Sequence, residues 1–231
     1  LYAVARDMGA ALAANDYMAI TGAGGGIMTA THEGAGLDHS LGFNITLPFE
    51  QRSNTVVHGT SHDLAFGFFF LRKLFFVKEA DALILCPGGF GTLDEALEVL
   101  TLVQTGKSPM VPIILLDQPG GQYWQAFTQF VRSQLADSAY IHPDDINLLT
   151  PCNSPAEAMQ VVLSFYSNYH SSRRVGEQFM LRLNRPLNEQ ALAQLDTRFG
   201  HICVSGGFVQ QGMCEQEHDE PELGTLTRLC F

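Results

Sequence analysis

Ala82-Leu83-Ile84-Leu85-Cys86-Pro87-Gly88-Gly89-Phe90-Gly91-Thr92-Leu93-Asp94-Glu95 decides the fold. Five apolar residues in a row predict a short buried strand. Pro87-Gly88-Gly89 breaks it with a turn, and residues 92–104 return to helical periodicity. A strand, a glycine-rich turn and a helix start form an anion-binding layout. The first amides of the helix point at the turn, and the helix dipole favours negative charge there. Glu95 lies one turn into the helix. The stretch therefore reads as a site that holds a phosphate with a carboxylate beside it. Thr92 and Glu95 also have the spacing of a capping box, in which Thr92 caps the helix and Glu95 bonds back to its start. A cap does not need Gly88, Gly89 and Gly91 around it, and close approach of a ligand to bare backbone explains them.

The same alternation continues on both sides. Helices are predicted over residues 2–14, 27–37, 63–79, 122–135 and 155–166. Strands are predicted over residues 17–21, 43–47 and 111–116, and residues 142–151 read as a loop. Alternating strands and helices imply βαβ units, hence a Rossmann-like, doubly wound parallel sheet with helices on both faces. Ligands of such sheets sit beyond the carboxyl ends of the strands. A second glycine-rich turn, Gly22-Ala23-Gly24-Gly25-Gly26, also follows a strand and belongs on that edge. The chain opens inside a helix, whereas an open sheet of this kind ordinarily starts on a strand, so a first strand is expected to be missing from this sequence. Residues 1–168 are expected to form this domain and residues 169–231 a C-terminal extension. In the extension, Arg173, Arg174, Arg182 and Arg185 make a basic patch, residues 187–195 a helix, residues 201–205 a strand and residues 215–223 a solvated acidic tail.

Bulk chemistry narrows the function. The 231 residues carry a net charge of −11, which disfavours nucleic acid polymers and anionic membranes as partners. Cys86, Cys152, Cys203, Cys214 and Cys230 are odd in number and lack metal-ligand or disulfide spacing, the pattern of a reducing cytoplasm. The apolar stretch at residues 64–77 contains Arg72 and Lys73 and is too short to span a bilayer. Gly22–Gly26 begins like a dinucleotide fingerprint, but Ile27 stands at the third glycine position. Gly106-Lys107-Ser108 lacks the leading glycine of a P-loop, because Thr101 occupies that place. No pair among the histidines has ligand spacing for a metal, and no serine sits in a nucleophile elbow. Arg72 stands among Phe66, Phe68, Phe69, Phe70, Phe75 and Phe76. A guanidinium there needs an anionic partner or a route to water, and Glu95 is the partner expected, with Lys73 directed elsewhere. Glu50, Arg52 and Asn54 are further polar candidates on the strand-end side.

Residues 87–95 resemble the PGGxGTxxE signature of the Lonely Guy family. Arg72-Lys73 is similar to that family's arginine-lysine pair, and Thr21–Met28 to its first glycine-rich turn. The resemblance covers roughly residues 1–165, in the style of the longer bacterial members. Leu71 stands where an acidic residue often precedes the arginine. The family's members hydrolyse the N-glycosidic bond of nucleoside 5′-monophosphates. The resemblance therefore implies catalytic roles for Glu95 and Arg72, and phosphate or nucleotide binding by Gly88, Gly89, Gly91, Thr92, Gly24, Gly25, Gly26 and Met28. It also implies a small nucleotide substrate, a homodimer or larger homo-oligomer, and no metal or organic cofactor. The alternative is a non-catalytic carrier of a nucleotide or a phosphate-bearing cofactor such as the molybdenum cofactor. That alternative needs the turn but not Glu95 or Arg72.

Overall fold

The computed structural model describes residues 1–46 and 52–231. The chain divides into two compact units, Leu1–Val162 and Leu163–Phe231.

The first unit is α/β. Its strands are β1 (Ala19–Thr21), β2 (Ser40–Ile45), β3 (Asp63–Phe66), β4 (Leu83–Leu85), β5 (Ile113–Leu116) and β6 (Leu149–Cys152). Between and before them lie α1 (Tyr2–Ala14), α2 (Ile27–Ala35), α3 (Phe69–Glu79), α4 (Phe90–Gln104) and α5 (Tyr123–Phe130), and α6 (Pro155–Phe165) follows. All pairings are parallel. The strands hydrogen-bond in two sets of three, β1-β2-β3 and β4-β5-β6. Every residue of β5 is buried, as befits a parallel strand covered on both faces. Its Ile113 and Leu115 pack with Leu85, Val99, Trp124 and Leu149. In the other set, buried Phe43 meets Phe66 edge-on at 5.3 Å between ring centres and Phe76 at 5.1 Å. Helices α1 and α2 cross at two glycines. A Cβ on Gly34 would stand 1.8 Å from the Arg6 carbonyl oxygen, and one on Gly9 2.0 Å from that of Thr31. No helix among the described residues is long and apolar enough to cross a membrane.

Several expectations are corrected here. Residues 63–66 are strand β3, paired with β2, and the helix starts only at Phe69. The apolar run has no period that separates a short strand from a helix start, and Asp63 mimics a cap. Residues 149–152 also form a strand rather than loop, with Pro151 tolerated because β6 is the outer strand of its set. Helix α5 widens into a π-helical turn over Val131–Ala136.

The second unit is an antiparallel sheet of β7 (Tyr169–Val175), β8 (Gln178–Leu183), β9 (Val209–Gln211) and β10 (Thr227–Cys230), ordered β7-β8-β10-β9, with α7 at Glu189–Phe199. Leu183, Phe208 and Leu229 form its core with Leu192 and Leu195. Residues 201–205 contain no strand; a short 3₁₀ turn ends at Ile202. The acidic segment is not a solvated tail either. Glu217 is fully buried between Arg182 and Arg228, which are themselves buried. Arg182 donates to it from Nε and Nη2 at 2.8 and 2.7 Å, and Arg228 from Nε at 2.9 Å. Arg173 pairs with Asp219 at 2.8 Å. Arg173 and Arg182 of the basic patch thus pair with the acidic stretch, and Arg182 with Arg228 holds the Glu217 carboxyl down at about 2 against its burial.

Candidate active site

Helix α4 begins at Phe90, with Gly89 as its N-cap and no side-chain cap bond. The capping box expected from Thr92 and Glu95 is therefore not formed. Thr92 and Leu93 donate their amides to the Gly89 carbonyl at 3.1 and 3.3 Å, so the amides of Phe90 and Gly91 stand ahead of the helical ladder. Thr92 serves the turn differently. Its hydroxyl packs against Gly88, where a Cβ would stand 2.2 Å from Thr92 Oγ1. Tyr123, at the start of α5, donates its hydroxyl to the Gly88 carbonyl at 2.7 Å and pins the turn from the other side. Gly89 and Gly91 face open space. Nothing in the protein itself requires glycine at those two positions, which leaves bare backbone beside the first helical amides.

Glu95 is half-buried, and its Oε2 is buried without a hydrogen-bond partner. Burial pushes its carboxyl above the usual carboxylate range, opposed by Lys73 and then Arg72. Arg72, on α3, has a buried Nε that also lacks a partner. Its guanidinium lies over the Phe69 ring at 5.1 Å and near that of Phe76 at 5.9 Å. Burial weakens its hold on the proton, while Glu95 and then Asp94 strengthen it. Lys73 is not directed away from the site. Its Nζ bridges Asp94 at 2.6 Å and Glu98 at 3.0 Å, which ties α3 to α4.

The first glycine-rich turn reaches the same place. A Cβ on Gly22 would stand 3.1 Å from Met28 Sδ and 3.7 Å from Arg72 Nη1. Gly22 thus makes room for the two side chains that converge on it. Gly26, the N-cap of α2, has φ +69°, which glycine adopts freely. The turn is held from below by a network invisible to local sequence reading. Thr29 donates to the Gly24 carbonyl at 3.0 Å, and the Asn54 amide to that of Ala23 at 2.7 Å. Behind them lies His32, fully buried. Asn54 is therefore part of the frame of this edge, Arg52 is exposed, and Glu50 lies outside the described residues.

Two glycine-rich turns at strand ends, with Arg72 near the first and Glu95 just past the second, mark the candidate site of a protein of the doubly wound α/β class. The chain belongs to the Lonely Guy family. The family model described as "Possible lysine decarboxylase" matches residues 25–162. Among curated proteins it is similar to the probable cytokinin riboside 5′-monophosphate phosphoribohydrolase LOGL3 of Oryza sativa subsp. japonica, 33% identical over 99 residues, 43% of this chain and 44% of that protein. The cytokinin riboside 5′-monophosphate phosphoribohydrolase LOG7 of Arabidopsis thaliana is 39% identical over 72 residues, 31% of each chain. The chain thus matches less than half the length of these relatives. Among solved structures, a molybdenum cofactor binding protein from the phototrophic bacterium Rippkaea orientalis is similar over 71% of this chain and 86% of its own, at 23% identity and a TM-score of 0.48.

Proposed function

We propose that the protein hydrolyses the N-glycosidic bond of nucleoside 5′-monophosphates, releasing a free base and ribose 5-phosphate. The observation that carries this reading is the Glu95 carboxylate, with an unpartnered buried oxygen beside Arg72 and one helical turn from bare glycine backbone. A carrier of a phosphate-bearing group would need the glycines but has no use for a half-buried, unsatisfied carboxylate. The names of the relatives agree with this reading.

Cleavage of the bond develops positive charge at the anomeric carbon. The ionised Glu95 stabilises that charge and takes a proton from the attacking water, a task suited to a carboxyl whose affinity for protons has been raised. The amides of Phe90 and Gly91 and the turn at Gly88–Gly89 hold the 5′-phosphate, with Thr92 setting the turn's shape. Binding energy far from the reacting bond thereby positions the sugar. Arg72 keeps Glu95 ionised and faces the ligand from the Gly22 side, where Met28, Gly24, Gly25 and Gly26 complete the nucleotide surface. The five cysteines are free, in keeping with a cytoplasmic enzyme.

The test is release of free base from AMP, GMP, CMP, UMP and isopentenyl-AMP by the protein and by Glu95→Gln. Turnover by the parent protein is expected to fall by about 10²-fold or more in the variant. Equal turnover in the two proteins, or none in a parent protein that binds the nucleotides, refutes the hydrolase.

The same reading includes a homodimer. Phe68, Phe69, Phe70, Leu74 and Phe75 are exposed on and just before α3, and Phe90, between the glycines of the turn, is 93% exposed. An apolar strip of that kind beside the site suits a second copy of the chain. Phe70→Glu is expected to shift the mass measured by light scattering from dimer to monomer.

A further inference from the structure

His32 on α2 is fully buried, yet no charged side chain acts on it among the described residues. What faces its ring is Thr21 from β1, Asn54 from the loop before β3, and the backbone of Ala19 and Leu41 in β1 and β2. The pattern fixes the tautomer. The Asn54 side-chain oxygen accepts from the Val56 amide at 3.2 Å and stands 3.5 Å from His32 Nδ1, while its NH₂ faces the Gly24 carbonyl at 3.5 Å and comes nearer to Nδ1, at 3.1 Å. An NH₂ only donates, so Nδ1 accepts and the imidazole proton resides on Nε2. Nε2–H then donates to Thr21 Oγ1 at 3.1 Å, and that oxygen also accepts from the Ala23 amide at 3.0 Å. Each end of the ring therefore leads, through one side chain, to the backbone of the first glycine-rich turn. Ala23 itself is buried at φ +58°, a conformation that needs such support in a residue with a Cβ.

We propose that His32 is a positioning residue for this turn: its neutral Nε2–H form orients Asn54 and holds residues 22–26 in the shape that meets the nucleotide, and protonation of the ring releases the turn. A second proton on Nδ1 would face the Asn54 NH₂. The amide must then turn its oxygen, already 3.5 Å from Nδ1, toward the ring, and its NH₂ gives up Nδ1 and swings from the Gly24 carbonyl. Burial holds His32 below the ordinary histidine range, so the held form prevails at neutral pH and the released form appears on acidification. The ligand-binding part of this inference rests on the proposed nucleotide reading; the tautomer and its grip on the turn do not.

The test uses the protein carrying Glu95→Gln, chosen to slow turnover during the binding measurement, with and without His32→Asn. The asparagine offers an oxygen near the Nδ1 position and does not titrate. AMP affinity is measured by calorimetry at about pH 7.5 and at the lower pH at which NMR shows the His32 ring protonated, below the ordinary histidine range. The phosphate's own titration is common to both proteins. Between the two pH values the His32 protein is expected to lose about five- to tenfold more affinity than the asparagine variant, the worth of roughly one hydrogen bond. Nitrogen NMR is expected to place the neutral proton on Nε2, and the Ala23 and Val56 amides to shift along the His32 titration. Superimposable AMP curves, a proton on Nδ1, or turn amides indifferent to His32 overturn the proposal. If AMP fails to bind either protein while the amides follow His32, the nucleotide reading fails and the grip on the turn stands.

Discussion

Glu95 bears its charge against its surroundings. A carboxyl raised by folding stabilises the folded state only while protonated, and that contribution disappears as pH rises through the folded value. At neutral pH the ionised group is therefore a net cost, of the kind active sites retain for chemistry. Glu95→Gln is expected to raise the melting temperature by about 1–4 °C at pH 7.5 while base release falls by about 10²-fold or more. An equal or lower melting temperature in thermal unfolding contradicts that account of the site. The absence of a cap bond at α4 makes this a clean test, since the substitution removes no helix-end interaction. At this scale the sequence singles out Glu95, Arg72 and the glycines as candidates, because their signal is local. His32 was invisible, since its partners Thr21 and Asn54 lie 11 and 22 residues away. Glu217 was misread for the same reason: an acidic run looks solvated until arginines 35 and 11 residues distant are folded onto it.

At the level of elements, the crossing of α1 and α2 is set by glycine. The Cβ of Gly34→Ala would meet backbone rather than a movable side chain. The helices must separate, and the variant is expected to lose about 1–3 kcal/mol in urea unfolding, whereas exposed Gly25→Ala, with nothing near its Cβ, is expected to keep its stability within about 0.5 kcal/mol. Element order was readable wherever a strand and the following helix were separated by a glycine-rich turn, as at residues 21–27 and 85–90. It failed at β3 and β6, where four-residue strands carry no periodicity of their own and exist because a parallel neighbour, β2 or β5, supplies their hydrogen bonds.

The molecule as a whole has two stability centres of different chemistry. The first unit is held by apolar packing around β5, the second by a small apolar core and a buried ion cluster. Glu217 is held at about 2, below its ordinary 4.5, so its contribution is complete above about pH 4.5 and is lost as pH falls toward 2. Glu217→Ala leaves buried Arg228 without a carboxylate and buried Arg182 with Glu220 alone, and is expected to cost about 3–5 kcal/mol. Trp124, the sole tryptophan, lies in the first unit. Hydrogen exchange in β8 and β10 is therefore expected to accelerate in the variant while Trp124 fluorescence stays native. Loss of both signals together would mean that the two units unfold as one.

The Lys73 bridge has a consequence for precision. Lys73 is the neighbour of Arg72, and Asp94 the neighbour of Glu95, so the ion pair between α3 and α4 sits one residue from each of the groups assigned to the chemistry. It works as a gauge block between two beams, setting the spacing of the two helices beside the groups assigned to the chemistry.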